Sequence, residues 1–583
     1  MFQPDLSPVA DSLAASSLVS ALPLLTLFAL LGGARWKAHW AGLASLAVAV
    51  AVAVFGYRMP GGLALLSASE GAAFGLFPIM WIVLAAIWVY QLTEVSGRFE
   101  DLRRAFGLIS DDPRIQAIII AFCFGGLLEA LAGFGAPVAI TGVMLMGLGF
   151  APMRAAVTVL VANTAPVAFG AIAIPIITAG NLTKIPYTDI GAYAGRQTPL
   201  LALFVPLLLV ALVDGRRGVR QTWPAALVCG AVFGLAQFVS SNYLSVELTD
   251  IVASLAGLVA AVLFLRVWRP QGGAGASADL RAQAEGGDAE SAAGAPGSPA
   301  DATGGPAAVP GRPGTRGAAT TRALPVPGRA GREHPDAARI AMAFAPYLII
   351  IVIFSVAKLV APVKEFLAST DLKIAWPGLD GQVLTAAGKP LSATVYVFPW
   401  LSSPGTLLVL SGIVVALLYR VSPARAGREF AATAARLRWA MLTVAAVLAL
   451  AYVMNLSGQT ITIGTWIAGA GTAFAFLSPV LGWLGTAVTG SDTSANALFA
   501  TLQQTAATKA GLDPTLLVAA NTSGGVVGKM ISPQNLTIAA TAVGLMGREA
   551  ELFRAAIRWS LLLLLALCLL VFLQSNVLAW MLP

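Results

Sequence analysis

Apolar runs recur along almost the whole chain, and a backbone inside them must satisfy its own hydrogen bonds. Leu43–Phe55, Ala72–Leu92, Leu200–Val213, Ile251–Leu265, Ile340–Val356 and Trp559–Phe572 are the clearest. With their flanks they approach the roughly 20 residues that cross a bilayer as a helix. Counting every such run by hydropathy gives roughly 12 to 14 crossings. Only 11% of the 583 residues are charged, against about 25% in soluble proteins. The fold class expected is an all-α polytopic membrane protein.

The same counts remove several chemistries. Cys123, Cys229 and Cys568 each lie inside an apolar run, without metal-ligand spacing. His39 and His334 sit in loop-like sequence, which leaves zinc or Ser-His chemistry almost no material. Neither an enzyme nor a cofactor or metal site is expected. The net charge of +8 reflects basic cytoplasmic loops, not nucleic-acid binding. No Lys or Arg precedes Arg35, so the first run lacks the basic region of a signal peptide. It reads as a retained span with its N-terminus outside.

Basic clusters alternate with weakly charged loops. Arg35 and Lys37 come first, then Arg98, Arg103 and Arg104, then Arg216, Arg217 and Arg220. Arg266 and Arg269 follow, then Arg420 to Arg438, then Arg548, Arg554 and Arg558. Loops such as Arg58–Ser69 and Ser240–Asp250 fall between them, with the sparse Lys358, Lys364 and Lys373 the main exceptions. One topology fits, with the basic loops in the cytoplasm. Residues 270–337 carry Gly, Ala, Pro and Arg without an apolar run, a disordered composition. They divide membrane halves 1–269 and 338–583, and transport should survive removal of this tether. Val363–Pro399, with Trp376-Pro377-Gly378, reads as an ordered extracytoplasmic loop.

Two regions depart from plain apolar helices. The first runs from Glu129 through Gly133, Gly135 and Pro137 to Asn163-Thr164-Ala165-Pro166. The second runs from Thr489-Gly490-Ser491-Asp492-Thr493 through Asn496 to Asn521-Thr522-Ser523-Gly524-Gly525. Each has a Gly-rich opening, a helix, a short turn and an Ala-Asn-Thr. Gly170 and Gly528 each follow the Asn by seven residues, and Pro175 and Pro533 by twelve. Loop counting places the units in opposite orientation, and inverted repeats with interrupted helices mark secondary-transporter sites. Gly and Pro free N–H and C=O groups at membrane depth, tolerated only where they face protein, a cavity or a ligand. A half-helix N-terminus suits a carboxylate. The expected substrate ligands are Gly133, Gly135, Asn163, Thr164, Gly490, Ser491, Thr493, Asn496, Asn521, Thr522, Lys529 and Ser532.

Glu129, Asp492 and Lys529 lie within these segments, where a charge costs at least about 2.5 kcal/mol. Lys529 offers an anion its countercharge, and Glu129 or Asp492 a site for a coupling proton. A Lys–carboxylate pair that merely holds helices together is the plainer alternative. Arg154 and Lys509 read as interfacial anchors.

The string Gly490-Ser-Asp-Thr-Ser-Ala-Asn, with Val518-Ala-Ala-Asn-Thr-Ser-Gly-Gly-Val-Val-Gly-Lys-Met-Ile-Ser-Pro-Gln, closely resembles the L-lactate permease family. So do Gly133-Phe-Gly-Ala-Pro-Val-Ala-Ile-Thr, Asn163-Thr-Ala-Pro-Val-Ala-Phe-Gly-Ala, Gly195-Arg-Gln-Thr-Pro, Thr222-Trp-Pro-Ala and Ser240-Ser-Asn. The likeness covers nearly all the membrane part, and residues 270–335 depart from it. It implies uptake of L-lactate, glycolate and D-lactate with protons across a bacterial inner membrane, and paired hairpins with broken helices as in ion transporters. The expected partners are the bilayer, a small monocarboxylate, a proton and, as an option, a second copy in a homodimer. Sodium coupling is the near rival, because broken helices also build Na⁺ sites. A channel would instead show filter rings from oligomeric repeats, and an intramembrane Ser532–Lys529 hydrolase would label covalently at Ser532.

Overall fold

Helices close every backbone hydrogen bond within one segment, and the chain uses them for all its crossings. The computed structural model describes residues 1–107, 109–133, 135–273, 275, 276, 278, 337–385, 388, 391 and 394–583. Most of the expected tether, 270–337, lies outside the described residues. Among those described, ten helices are long and apolar enough to span, or eleven when the bent pair Pro152–Ala162 and Val167–Thr183 counts as one. These are counts of helices and not of crossings, and one helix can pass the bilayer more than once, so they do not contradict the 12 to 14 crossings expected. Thr198–Leu244 has 47 residues, about 70 Å at 1.5 Å per residue, more than twice the bilayer core. It folds back at Asp214 and Gly215, where Gly215 takes φ +59. Arg216, Arg217 and Arg220 follow the bend, as expected of a basic side.

Two units share one order of elements. In the first, Pro113–Leu131 meets a break at Gly133–Gly135, then Ala136–Gly147, a turn, and Pro152–Ala162. An irregular stretch then leads into Gly170–Thr183. In the second, Phe474–Thr489 meets a break at Gly490, then Asp492–Ala510, a turn, and Pro514–Gly528. The 3₁₀ turn Lys529–Ile531 then leads into Pro533–Ala542. Gly135 and Gly490 hold φ +86 and +77, a left-handed conformation that side-chain-bearing residues rarely adopt. In each unit the chain therefore turns on a left-handed glycine just before the returning helix.

The turns of the two units sit at opposite ends of one helix. Arg154, after the first turn, donates to the Val213 carbonyl at 2.8 Å. Asp513, in the second, accepts from the Tyr193 hydroxyl at 2.6 Å, five residues before the helix begins at Thr198. Residues 198–213 are about 24 Å long as a helix.

The remaining helices flank these units. Gly71 seats its helix on the Leu448 carbonyl, where a Cβ would collide. In the loop expected at 363–399, strands Leu372–Ala375 and Val395–Phe398 pair antiparallel, Leu372 opposite Phe398. This ribbon is the only sheet among the described residues of an otherwise helical protein.

Candidate functional site

The helix interruptions differ in position. Asn163 ends its helix, because Pro166 lacks the N–H that a further turn would use and its ring clashes with the residue 162 carbonyl. The chain stays irregular as far as Ala171, Ile172 and Ala173, all at positive φ. In the second unit the place of Pro166 is taken by Gly524, and the helix runs on through Asn521 to Gly528. The expected break at Asn521 is therefore corrected. The second interruption is at Lys529–Ser532, and the elements that match are Gly170 with Gly528 and Pro175 with Pro533.

This shift sorts the expected ligands. Asn163 and Thr164 face Lys529 and Asn535 across about 160 Å³ of space, walled by Val138, Leu160, Val526 and Met530 and everywhere too narrow for a water molecule. Asn521 lies elsewhere. Its Nδ2 donates to Asn496 Oδ1 at 2.9 Å, its Oδ1 accepts from Gln503 at 3.2 Å, and Thr522 donates to the same Asn496 oxygen at 3.0 Å. Asn496 Nδ2 in turn donates to the Pro175 carbonyl at 3.1 Å. These four residues form a buried polar seam that ties the second unit to the first.

Several others serve the backbone. Ser491 caps Asp492–Ala510, accepting from Ser494 N at 3.3 Å. Ser532 caps Pro533–Ala542, accepting from Asn535 N at 3.3 Å and donating to the Lys529 carbonyl at 3.0 Å. Gly490 packs where a Cβ would meet Gln534, and Gly135 where it would meet Ile538. Gly133 and Gly170 leave room for the Glu129 carboxylate, 2.9 Å from where a Gly170 Cβ would stand. Thr493 is half-buried beside Asp492 and does not line the cavity.

The charges come together across 400 residues of sequence. Lys529 Nζ donates to Glu129 Oε1 at 2.6 Å, with both side chains almost wholly buried. The second Glu129 oxygen has no hydrogen-bond partner. Asp492 makes no hydrogen bond to the pair, although its charge acts on Lys529 through space. It takes a long 3.4 Å hydrogen bond from Thr486 and leaves its other oxygen without a partner.

Two residues escaped the sequence reading. Asp250 is fully buried, neither of its oxygens has a partner, and it interacts electrostatically with Glu129 and Lys529. The sequence places it at the end of the weakly charged loop Ser240–Asp250, yet it opens the helix Thr249–Val267. Ser254, one turn on, packs against Gly126, one turn before Glu129. Asn535 follows directly on the recognised Ser532-Pro533-Gln534. Its Nδ2 donates to the Lys529 carbonyl at 2.9 Å, and its Oδ1, like that of Asn163, has no partner. An acid heading an apolar run was the one available signal for Asp250.

Amide and charged side chains gathered on interrupted helices, deep in an apolar bundle, define a polytopic membrane protein of the transporter class. The sequence model of the L-lactate permease family matches residues 16–297 and 316–578. The chain is 42% identical to the glycolate permease GlcA of Escherichia coli (strain K12), over 97% of each chain. It is 40% identical to the L-lactate permease of Bacillus subtilis (strain 168), over 99% of each, and 38% identical to that of Escherichia coli (strain K12), over 97% of each. The chain belongs to the L-lactate permease family. It is a multi-pass membrane permease and not an enzyme.

Proposed function

We propose that this protein imports L-lactate and related 2-hydroxy-monocarboxylates, glycolate and D-lactate among them, by proton symport across a bacterial inner membrane. The observation that carries the reading is the Glu129–Lys529 pair beside Asn163 and Asn535. An incoming carboxylate competes with Glu129 for Lys529. A proton on Glu129 releases the lysine, so one proton and one anion enter together and the net charge of the site does not change. Asp250, without a partner on either oxygen, is the second place for that proton. The Asn163 and Asn535 oxygens without partners suit the substrate's 2-hydroxyl, which lactate and glycolate share. Val138 and Leu160 suit the methyl group that only lactate has.

The closed cavity requires motion, and we take the two units to be inverted repeats that open it alternately to each side. Their shared order of elements, and their turns at opposite ends of the Thr198 helix, support this.

Purified protein in liposomes tests the function. Labelled L-lactate should accumulate under an inward proton gradient, equally with and without Na⁺. Propionate, lactate without its hydroxyl, should compete at least about tenfold less well, because it leaves a buried acceptor unpaired. Accumulation that requires Na⁺ and ignores the pH gradient would sink the proton reading.

A further inference from the structure

A second cavity, on the basic side of the protein, is separate from the site at Lys529. It holds about 440 Å³ between the first unit and the last helix, Glu549–Gln574. Arg154 and Arg558 both line it, with Trp559, and its other walls are Met153, Val157, Leu212 and the small Ala151 and Ala555. Among the described residues no acid lines it, and Asp214, whose charge reaches Arg154, is already paired with Arg114 and Arg217. The two guanidiniums therefore leave the cavity cationic among apolar walls. Arg154 is half-buried and held in place by one bond to the Val213 carbonyl at 2.8 Å. Arg558 is exposed, with Trp559 half-buried beside it.

What lies below Arg558 identifies the occupant. Residues three, four and seven positions on share its face of the helix. Those positions are Leu561, Leu562 and Leu565, which are 48%, 53% and 50% exposed. They form an apolar track leading from the cationic cavity along the outside of the bundle. Arginine forks match phosphate oxygens two at a time, indole belongs at the headgroup level, and basic pockets between spans on the cytoplasmic side take anionic headgroups.

We propose that Arg154 and Arg558 bind the phosphate of an anionic phospholipid of the cytoplasmic leaflet, whose acyl chains lie over Leu561, Leu562 and Leu565. The bound headgroup bridges the turn of the first unit to the last helix, so lipid composition bears directly on an element of the transport machinery.

The test uses full-length protein in detergent, titrated with phosphatidylglycerol, phosphatidylcholine or inorganic phosphate, and read by melting temperature and native mass spectrometry. Phosphatidylglycerol should raise the melting temperature saturably and remain bound, while phosphatidylcholine does neither. Arg154→Gln with Arg558→Gln should weaken the apparent affinity at least about tenfold. Arg554→Gln, which removes an exposed charge outside the cavity, should leave it unchanged. Ala555→Trp fills the cavity without removing charge and should reproduce the loss, which decides the matter if the double variant does not fold. Wild-type phosphatidylglycerol binding in the double variant or in Ala555→Trp would overturn the proposal. So would equal binding of phosphatidylcholine, and saturation by inorganic phosphate alone would make this a free-anion site.

Discussion

Lys529 meets the Glu129 carboxylate directly and feels two more, Asp250 and Asp492, through space. Burying such a pair costs desolvation that the attraction repays only in part, and removing one partner of a buried pair typically costs about 3–5 kcal/mol. A pair kept there for stability alone would be lost with either residue. A pair that exchanges partners during transport behaves differently. Glu129→Gln keeps a side chain of the same size as the protonated acid and leaves Lys529 free for the substrate carboxylate. The variant should therefore still exchange labelled for unlabelled lactate, at a rate nearly independent of pH between 5 and 8, a range chosen to bracket neutrality. It should lose accumulation under a proton gradient by at least about tenfold, since the carboxyl that trades places with the substrate at Lys529 can no longer take up the proton and Asp250 does not touch Lys529. Loss of exchange as well as accumulation, in protein that melts normally, would assign Glu129 to substrate binding and not to coupling. At this scale the sequence revealed the charged residues well, because Glu129, Asp492 and Lys529 stand alone in apolar surroundings. It could not reveal which of them touch. Asp250 was hidden by its place at the start of a helix, where an acid is ordinarily a favourable first-turn residue.

At the scale of elements, glycine decides how closely the second unit packs. A Cβ at Gly482 would strike the Asn521 carbonyl, one at Gly524 the Pro479 carbonyl, and one at Gly528 the Trp483 carbonyl. The helices Phe474–Thr489 and Pro514–Gly528 thus touch backbone to backbone, the arrangement small residues permit in membranes. Backbone cannot swing aside as the end of a side chain can. Gly524→Leu should lower the melting temperature in detergent by the equivalent of about 1–3 kcal/mol or more. Gly427→Leu, exposed within a helix where a Cβ meets nothing within 4 Å, should not lower it and gains up to about 1 kcal/mol of helix propensity. Equal effects would mean that this contact does not hold the unit together. The same elements show why the matched order of the two units could be read and the breaks misplaced. Matched glycines and prolines fix where each following helix starts, and Gly170/Gly528 and Pro175/Pro533 kept their register. An Asn has no such power over the backbone. The helix end at Asn163 is imposed by Pro166, and Asn521, with Thr-Ser-Gly-Gly after it, stays helical. Substituting Asn521 would accordingly disturb the seam with Asn496 and Gln503, whereas substituting Asn163 alters a wall of the cavity.

For the whole molecule, the bilayer sets the limits on what the chain may do, and these were legible from apolar length and basic loops alone. Helices and crossings are counted differently: the 47-residue helix doubles back at Gly215, and the basic Arg216 and Arg217 mark that division in the sequence. Orientation is the property on which alternating access depends. Two units that open the same cavity to opposite sides must point their turns at opposite membrane faces. The bond from Arg154 to Val213 places the first turn beside Arg216 and Arg217, on the basic side. The bond from Tyr193 to Asp513 places the second at the far end of that helix. The native cysteines Cys123, Cys229 and Cys568 are all buried, so single added thiols can report on each turn. Leu148, in the first turn, and Lys509, beside the second, are both exposed. In intact cells a membrane-impermeant maleimide should label Lys509→Cys and spare Leu148→Cys, and inside-out vesicles should reverse the pattern. Labelling of both from one side would mean that the units run in parallel. One cavity could then not be reached alternately by mirrored motions, and uptake would need a different moving part, with Glu129 and Lys529 still its charged centre.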